Sequence, residues 1–432
     1  MTSQTTSQND HLVIVGNGMA GQRLLEALLA KPGRPKHITV IGEEQAHAYN
    51  RILLSPWLAG EMDREALTLR NTDWYHEHGV KLVLGERVET IDRETQRLTT
   101  DTGRELTYDR LVLATGSRPT LPPVDGIDLE GVLGFRDIED AETLIHLSES
   151  LDTGAPAVVI GGGLLGLEAA EGLRKRGMSV SVVQRSERLM NRQLDATAAH
   201  LLEAELIKRG LSVVTGSRLA SLTDDDNGHV NGCRLEDGRF LPARCVVIAA
   251  GITPNSELGQ ATGLATRRAI VVDDYLTTSD PAIHALGECC EFQGQTYGLV
   301  DPIWHQVDVL AARLAHEVVD GYVDVPTATK LKVSGVSLYA FGPIEADDEH
   351  DVLTYHDPQQ GEYRRLLLRN NRIEGAVLYG DTTAGPWYFE QSMAERDLGN
   401  CRQALLFGPA DATPLLAASH DEHDTPAYQE AA

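Results

Sequence analysis

The sequence has a shortage of several residue types, and each shortage excludes a class of protein. Its five cysteines are scattered and form no C-x-x-C pair, which argues against a disulfide framework and against a zinc or iron-sulfur site. No apolar run reaches the roughly 18 residues of a membrane-spanning helix. The N-terminus has no signal-peptide pattern, so we expect a cytoplasmic protein. Basic residues are outnumbered, with 38 Lys and Arg against 64 Asp and Glu, and the net charge of −26 disfavours nucleic acid and anionic membranes as partners.

What the sequence does contain begins with a glycine-rich stretch, His11 to Gly21, that reads HLVIVGNGMAG. A short apolar run typical of a buried strand is followed by Gly16, Gly18 and Gly21 at G-x-G-x-x-G spacing, and then by an amphipathic segment, Gln22 to Ala30. In such motifs the first glycine permits a tight turn, the second lets a pyrophosphate approach the backbone, and the third lets the helix pack on the strand. The phosphates would bind the free N–H groups at the helix N-terminus.

The segment after this helix predicts how an adenosine ribose would be bound. A second strand, His37 to Ile41, is followed by Glu43, and an acidic residue at this place accepts hydrogen bonds from ribose hydroxyls. The alternative is a solvated strand end. Arg51, in the run AYNRILLSP, could pair with a phosphate, although most arginines are surface charges.

The order of elements then begins again. Pro156 to Gln184 contains a strand, the glycines Gly161, Gly163 and Gly166, a helix and a second strand. The first unit also contains LVLATG, in which Ala114 to Gly116 form a small-residue turn where the backbone can approach a ligand. The second unit repeats this stretch as VVIAAG. Two glycine motifs with matching later strands are a much more specific signal of nucleotide binding than one motif, so we predict two nucleotide-binding units. The length of 432 residues agrees, because such a chain is too long for one ordinary core.

The second unit differs from the first at its ribose position. There the chain has Gln184, followed by Arg185 and Arg188, in place of an acid. Loss of the carboxylate removes repulsion against a 2′-phosphate, and an arginine could pair with it. This pattern favours acceptance of NADPH beside NADH. The alternative is that both arginines are simply solvated.

The remaining chain predicts one more buried strand and a smaller domain. The strand, Ile283 to Leu286, ends in Gly287 and Glu288, and a carboxylate there could hydrogen-bond a sugar-like chain. We expect a helix from Asp308 to Val319, then alternating strands and a helix from about Pro386 to Leu398. The polar tail from Ala412 onward is predicted to be disordered.

Several motifs resemble those of the two-dinucleotide flavoprotein oxidoreductases, which are related to the pyridine-nucleotide disulfide reductases and to ferredoxin and rubredoxin reductases. They are VGNGMAG, LATGSRP, IGGGLLGLEAA, AAGITPN and TSDPAIHALGE. Further stretches, AYNRILLSPWLAGE, RLMNRQLDA, QTYGLVDP and LKVSGVSLYAFG, resemble a subgroup. The subgroup comprises the N-terminal flavoprotein part of NAD(P)H nitrite reductase large subunits and the electron-transfer subunits of assimilatory nitrate reductases.

The resemblance implies an α/β fold with two Rossmann-like domains and a smaller C-terminal α+β domain. The expected division is an FAD-binding domain in residues 1–121 and 252–324, an NAD(P)H-binding domain in 122–251, a C-terminal domain in 325–411 and the tail in 412–432. The implied FAD-binding residues are Gly16, Gly18, Met19, Ala20, Gly21, Glu43, Arg51, Val88, Ala114, Thr115, Gly116, Gly287 and Glu288. Those implied for NAD(P)H are Gly161, Gly163, Leu164, Leu165, Gly166, Glu168, Gln184, Arg185 and Gly251, with Glu168 near the nicotinamide.

The sequence departs from the wider family in two places. Pro56 stands where ferredoxin reductases often have a lysine, and residues 45 to 60 lack the cysteine pair of the disulfide reductases. Thiol chemistry at the flavin is therefore not expected. The adjacent Cys289 and Cys290 could form a redox pair, but vicinal cysteines are more often packing residues.

These observations predict an enzyme, an FAD-dependent NAD(P)H oxidoreductase. Reduced nicotinamide donates a hydride and iron-sulfur and haem centres accept single electrons, so a flavin can convert one into the other. Because the chain stops before the cysteine clusters of nitrite reductase large subunits, we expect it to pass electrons to a separate iron-sulfur or haem protein in nitrate or nitrite assimilation. The alternatives are a rubredoxin or ferredoxin reductase serving an oxygenase, and an FAD-bound regulatory protein with little turnover. The sequence leaves the oligomeric state open.

Overall fold

The computed structural model describes residues 10–333 and 335–421 of the chain. Over these residues the strands are β1 His11–Val15, β2 His37–Gly42, β3 Val80–Leu84, β4 Val88–Asp92, β5 Arg97–Thr100, β6 Glu105–Thr107, β7 Arg110–Leu113, β8 Ser117–Pro119, β9 Val132–Leu133, β10 Pro156–Ile160, β11 Ser179–Val183, β12 Ser212–Val214, β13 Leu219–Asp224, β14 Val230–Leu235, β15 Phe240–Pro242, β16 Cys245–Ile248, β17 Ile252–Pro254, β18 Ile270–Val272, β19 Ile283–Ala285, β20 Cys290–Phe292, β21 Gln295–Thr296, β22 Thr329–Val333, β23 Val336–Phe341, β24 Asp351–Asp357, β25 Glu362–Arg369 and β26 Arg372–Tyr379. The α-helices of the same residues are α1 Met19–Leu29, α2 Leu54–Leu58, α3 Thr72–Glu77, α4 Ile138–Ser150, α5 Leu164–Lys175, α6 Ala196–Lys208, α7 Glu257–Ala261, α8 Val300–Leu314, α9 Gly385–Met393 and α10 Pro409–Asp421.

Two compact units make up the chain. The first contains residues 1–120, 135–143 and 251–325, and the second contains residues 121–134, 144–250 and 326–432. The five-segment division drawn from the sequence stays a prediction, since compactness alone does not show which segment binds which nucleotide.

The first unit contains a parallel five-stranded sheet in the order β19-β7-β1-β2-β3. Its central strand β1 is fully apolar from Leu12 to Val15, and these four residues are at most 5% exposed. Continuous apolar strands of this kind suit a parallel sheet that is covered on both faces. The buried sides of α1 and α8 pack together in the same core. The carboxyl ends of β1, β7 and β19 therefore lie side by side at one edge.

The second unit contains the matching sheet, in the order β12-β11-β10-β16-β9. Strand β10 pairs in parallel with both β11 and β16, as β1 pairs with β2 and β7. The helix α5 follows β10 as α1 follows β1. The prediction of two Rossmann-like folds is confirmed.

A second sheet in this unit belongs to the C-terminal part of the chain. It is antiparallel, in the order β22-β23-β26-β25-β24, and it shares a core with α9 and α10. The predicted smaller α+β domain is thus present. Within this unit the Tyr363 hydroxyl of β25 donates to the Asp195 carboxylate, which caps α6.

Four sequence predictions differ from the structure. Helix α9 ends at Met393 rather than near the expected Leu398. Helix α8 begins at Val300, eight residues before the expected start, because Pro302 falls in its first turn, where a missing N–H does no harm. It ends at Leu314 rather than at Val319. Helix α10 replaces the expected disorder over residues 412–421, since Ala412 and Leu416 are buried in the C-terminal core. The rest of the predicted disordered tail, 422–432, lies outside the described residues.

Across the part of the chain that the structure describes, no helix combines the length and apolar character required to cross a membrane.

Candidate dinucleotide-binding sites

The first glycine turn has the geometry that a pyrophosphate needs. Gly16 has φ +118°, and a Cβ there would lie 2.1 Å from the carbonyl oxygen of Ala114. A Cβ at Gly21 would lie 2.1 Å from the carbonyl oxygen of Gly16, so the helix packs directly on the turn. Gly18 is different, because nothing lies within 4 Å of its Cβ position. It is the N-cap of α1 and no side chain caps the helix there, so the space in front of it is open to a phosphate.

The second glycine turn repeats this geometry. Gly161 has φ +126°, and a Cβ there would lie 2.2 Å from the carbonyl oxygen of Ala249. A Cβ at Gly166 would lie 1.9 Å from the carbonyl oxygen of Gly161, whereas nothing lies within 4 Å of that position at Gly163. Gly163 is also an N-cap without a side-chain hydrogen bond. The tight turn at the first glycine and the close helix packing at the third are therefore present in both motifs, and pyrophosphate binding at the second glycine stays a prediction.

The small-residue turn after β7 lies beside the first glycine turn. The Thr115 hydroxyl donates to the carbonyl of Asn255 at 2.9 Å, and the Asn255 amide donates to the carbonyl of Thr115 at 2.8 Å. Gly116 adopts φ +67°, and a Cβ there would lie 3.8 Å from a carboxylate oxygen of Glu288. The predicted residues Ala114, Thr115 and Gly116 thus lie at the carboxyl edge of the sheet with Glu288.

Glu288 follows β19 at the same edge. Gly287, with φ +82°, lies against the start of α1, because a Cβ there would be 3.3 Å from the Cβ of Ala20. The Gly287 N–H donates to the side chain of Gln306 at 2.9 Å. This arrangement brings Glu288 beside the N-terminus of α1, as the sequence predicted, and Gln306 of α8 holds the turn in place.

Arg136 was not singled out by the sequence, although it contacts Glu288. Its guanidinium donates to Oε2 of Glu288, and the Ser117 hydroxyl donates to the same oxygen at 3.0 Å. The Nε of Arg136 is buried and has no hydrogen-bond partner among the described residues. A buried N–H without a partner is costly, so this atom is a candidate donor to a bound anion.

Arg51 lies in a second polar cluster of the first unit. It donates to Glu44 at 2.5 Å and to the carbonyl of Arg136 at 2.9 Å. The Tyr49 hydroxyl donates to the other oxygen of Glu44 at 2.7 Å, and burial raises the pKa of Tyr49 so that it remains a donor. Glu44 therefore holds Arg51, and the preceding Glu43 is exposed. Glu44 and Tyr49 are cluster members that the sequence analysis missed.

The strand registers identify equivalent positions in the two units. The N–H of Gly16 donates to Ile41 and that of Gly161 donates to Val183, both at 2.8 Å. Since Ile41 corresponds to Val183, the position equivalent to Glu43 is occupied by Arg185 and not by Gln184. Gln184 is buried, and its side-chain oxygen accepts from the N–H of Gly162 at 3.1 Å. It supports the glycine turn.

The other predicted site residues are placed on the same elements. Met19 and Ala20 begin α1, and Leu164 and Leu165 begin α5, where Leu165 is 37% exposed. Glu168 is half-buried on α5, Gly251 follows the turn after β16 with φ +123°, and Val88 is buried at the start of β4.

The residues present fit nucleotide cofactors. No atom of the described residues lies within 4 Å of the Cβ positions of the N-caps Gly18 and Gly163. The side-chain amide of Asn17 has a buried Nδ2 without a partner among the described residues. Dinucleotides bind this kind of fold at the carboxyl edge of the sheet. Two such folds in succession define the class of two-dinucleotide flavoprotein oxidoreductases.

Comparison with known proteins agrees with this class. The family described as "Pyridine nucleotide-disulphide oxidoreductase" matches residues 10–309, and the "Rubredoxin NAD+ reductase C-terminal domain" matches residues 327–393. The chain belongs to the pyridine nucleotide-disulphide oxidoreductase family. It is an NAD(P)H oxidoreductase by class, with FAD and NAD(P)H as its cofactors.

Curated relatives include two proteins of Bacillus subtilis (strain 168). The chain is 41% identical over 414 residues to "Nitrite reductase [NAD(P)H]", which covers 95% of this chain and 51% of that protein. It is 38% identical over 412 residues to the "Assimilatory nitrate reductase electron transfer subunit", which covers 95% of this chain and 52% of that protein. The chain thus spans about half the length of these curated relatives.

Solved structures with the same fold include two reductases. One is the covalent putidaredoxin reductase–putidaredoxin complex, with a TM-score of 0.83 and 27% identity over 96% of this chain and 100% of that chain. The other is NADH:rubredoxin oxidoreductase from Clostridium acetobutylicum, with a TM-score of 0.75 and 26% identity over 90% of this chain and 96% of that chain.

The adjacent cysteines lie in a buried environment. Cys289 and Cys290 are both fully buried, and burial raises the pKa of each thiol. Reactive cysteines are partly exposed and have lowered pKa values. The geometry therefore favours a packing role for both residues.

Proposed function

We propose that this chain takes a hydride from NAD(P)H and passes electrons singly to a separate redox protein in nitrate or nitrite assimilation. The proposal is supported by the similarity to nitrite reductase and to the nitrate reductase electron transfer subunit over 95% of the chain. The single observation that carries it is the repetition of one open glycine turn, at Gly18 and at Gly163. Two nucleotides in one chain are what transfer between a nicotinamide and a flavin requires.

The flavin, when bound, supplies the conversion between two-electron and one-electron chemistry. The protein's own residues bind and orient the nucleotides. In the proposed assignment the first turn, with Gly16, Gly18 and Gly21, binds the FAD pyrophosphate, and Glu43 accepts from the adenosine ribose. Glu288 accepts from the ribityl chain and is held in place by Arg136 and Ser117.

The second unit binds NAD(P)H in this proposal. Gly161, Gly163 and Gly166 cradle its pyrophosphate, and Leu165 and Glu168 of α5 lie toward the nicotinamide. No side chain is assigned as a nucleophile or as a general acid or base, because hydride transfer between two rings depends on their position and on exclusion of water.

The proposed acceptor is an iron-sulfur or haem protein, and the proposed compartment is the cytoplasm, where reduced nicotinamide nucleotides are supplied. An external one-electron acceptor is consistent with the five cysteines, which are all buried and free.

The test uses the purified, FAD-loaded chain with NADH or NADPH. Ferricyanide should be reduced rapidly, and nitrite should not be consumed until a sirohaem-containing nitrite reductase subunit or a nitrate reductase catalytic subunit is added. Conversion of nitrite to ammonium by the chain alone would contradict the need for a separate acceptor. A yellow protein that fails to reduce ferricyanide would instead favour a regulatory protein with little turnover.

A second candidate function is that of a rubredoxin or ferredoxin reductase serving an oxygenase. It is favoured by the match of residues 327–393 to the rubredoxin reductase C-terminal domain and by the structural similarity to putidaredoxin reductase. The two candidates differ in the acceptor. Faster reduction of a rubredoxin or a [2Fe–2S] ferredoxin than of the nitrate and nitrite reductase subunits, at equal concentration, would support this alternative.

A further inference from the structure

We propose that Asp195 and Tyr363 are positioning residues for the second glycine turn. Through them the C-terminal sheet holds residues 184–195, which we call the cover segment, against Gly162 and raises the affinity of the turn for a nucleotide. The inference rests on the proposed function, because it requires nucleotide binding at this turn, and it adds how that binding is controlled. All the residues involved belong to the second compact unit.

The cover segment uses both backbone polar groups of Gly162. The Gly162 N–H donates to the side-chain oxygen of Gln184 at 3.1 Å, and the Gly162 carbonyl accepts from the N–H of Met190 at 2.9 Å. Leu189 is fully buried, and its Cδ2 would lie 2.5 Å from a Cβ at Gly162. The cover segment therefore fixes the peptide that directly precedes Gly163, the N-cap of α5.

The conformation of the cover segment costs free energy at Met190. This residue has φ +46°, and a non-glycine residue in the left-handed region persists only where the surrounding contacts fix it. The Met190 carbonyl accepts from the N–H groups of Gln193 and Leu194, both at 2.9 Å. The strained residue is thus joined to the part of the segment that leads directly to Asp195.

Asp195 attaches the end of the cover segment to the C-terminal sheet. Its Oδ2 accepts from the Tyr363 hydroxyl at 2.8 Å and lies 3.3 Å from Nη1 of Arg365. Its Oδ1 accepts from the N–H of Ala198 at 3.4 Å. The Asp195 side chain is 5% exposed and Tyr363 is 3% exposed. A buried carboxylate with donors on both oxygens is held in one position.

A second contact between the cover segment and the C-terminal part of the chain is weaker. Arg188 pairs with Glu345, but their side chains are 29% and 62% exposed. Exposed ion pairs contribute little, because water and salt screen them. The contacts of Asp195 are shielded from water, so Asp195 is the anchor that decides where the segment lies.

Loss of this anchor has a direct consequence for binding. A released cover segment would populate conformations in which Met190 relaxes and Gly162 loses its hydrogen bond. A ligand that requires the ordered turn then binds less tightly, in proportion to the fraction of molecules that remain ordered. The C-terminal sheet thus acts on nucleotide affinity through the cover segment.

The test is Tyr363→Phe in the FAD-loaded chain, which removes one donor to Asp195 and leaves Arg365 in place. Calorimetry with ADP-ribose, which has the adenosine and the pyrophosphate but no nicotinamide, should show about fivefold weaker binding, at the low end of the usual coupling between sites. With ferricyanide as acceptor, KM for NADH should rise by a similar factor and kcat should stay unchanged, because binding alone is altered. Without nucleotide, hydrogen exchange of the Met190 amide should become faster.

The matched control is Tyr379→Phe. Tyr379 is 6% exposed in the same sheet, and its hydroxyl donates to the carbonyl of Leu201 in α6 at 3.2 Å. This change also removes one buried hydroxyl contact of the sheet, but not one with the cover segment. The affinity for ADP-ribose, KM for NADH and the exchange of the Met190 amide should keep their native values.

Native ADP-ribose affinity or native Met190 exchange in Tyr363→Phe would overturn the inference and leave the proposed function intact. An equal loss of affinity in Tyr379→Phe would also overturn it, because the cause would then be general destabilisation. A native FAD-loaded chain that binds no ADP-ribose would instead overturn the proposed nucleotide site, and the inference with it.

Discussion

Arg136 and Ser117 both donate to the same oxygen of Glu288, Oε2, at the carboxyl edge of the first sheet. The Glu288 side chain is 15% exposed, and its other oxygen, Oε1, is the acceptor that we propose for a ligand. Glu288 lies 171 positions from Ser117 and 152 positions from Arg136, so the fold brings it to them. An anchored acceptor of this kind suits a polyhydroxyl chain such as the ribityl group of FAD.

Replacing this acceptor should weaken flavin binding. In Glu288→Gln the ion pair with Arg136 is lost, and the remaining side-chain oxygen is a weaker acceptor. We therefore expect FAD to dissociate about tenfold more readily, which is the factor for one charge-assisted hydrogen bond. Release of flavin fluorescence on dilution measures this. Glu257→Gln, which breaks an exposed ion pair with Arg118 in the same unit, is the control and should retain FAD like the native chain. Equal retention by both variants would contradict the assignment.

Alanine substitutions at two glycines of the first turn should affect different properties, FAD binding at Gly18 and folding at Gly16. Gly18→Ala adds a methyl group where no protein atom lies within 4 Å, at a residue whose φ is negative. The thermal stability of the flavin-free chain should therefore be unchanged. The affinity for FAD should fall, because the methyl group occupies the space proposed for the pyrophosphate. Gly16→Ala forces a left-handed φ and an overlap with the carbonyl of Ala114, so it should lower the free energy of unfolding by about 1–3 kcal/mol or more. Chemical denaturation and flavin titration check both. Normal FAD binding by Gly18→Ala would contradict the proposed pyrophosphate site.

Asp195 should be a major stabilising residue of the second unit. Its side chain is 5% exposed, accepts from the hydroxyl of Tyr363 at 2.8 Å and pairs with Arg365 at 3.3 Å. Asp195→Ala leaves the buried donors without a partner, and we expect a loss of about 3 kcal/mol in the free energy of unfolding. Tyr363→Phe should lose about 1 kcal/mol. Asp237→Ala, in an exposed pair, should be neutral. An Asp195 variant as stable as the native chain would show that this contact is weak.

His284 should make the first unit sensitive to acid. The side chain is 4% exposed on β19, and burial, with the charge of Arg110, lowers its pKa from 6.5 to about 4. The unfolded chain therefore binds a proton that the folded chain rejects. Stability should be complete above pH 6.5 and should fall as the pH decreases toward 4, by at most about 1.4 kcal/mol per pH unit from this group.

The variant His284→Leu removes that contribution, so its free energy of unfolding should depend less on pH between 6.5 and 4. Denaturation at pH 7.5 and pH 5 measures the difference. His76→Leu, at an exposed position of α3, should keep the pH dependence of the native chain. An unchanged pH dependence in His284→Leu would show that this histidine is not the cause.

The sequence was sufficient to predict the local features of the sites. Glycine spacing and apolar runs predicted both strand-turn-helix units, because the constraints on Gly16 and Gly161 act within a few residues and through the neighbouring strand. The repeat of LVLATG as VVIAAG predicted the second sheet edge as well. The predicted class and cofactors are confirmed by the family match.

The sequence could not predict contacts between distant segments. Arg136 and Glu288 are separated by 152 positions, and no pattern links them. The sequence also placed Gln184 at the position equivalent to Glu43, whereas the structure places Arg185 there. The difference is one residue of register, which only the pairing of β10 with β11 fixes. The polar composition of the segment that forms α10 indicated disorder. The burial that stabilises this helix comes from the C-terminal core, which the sequence of the segment does not reveal.

The most direct test of the account is anaerobic rapid mixing of the FAD-loaded chain with NADPH, followed through the visible absorbance of the flavin. The account predicts a fast loss of that absorbance, dependent on NADPH concentration, and its return when a one-electron acceptor such as ferricyanide is added. A flavin that stays oxidised in the presence of both NADPH and NADH would contradict the claim that the two nucleotide-binding folds of this chain serve hydride transfer.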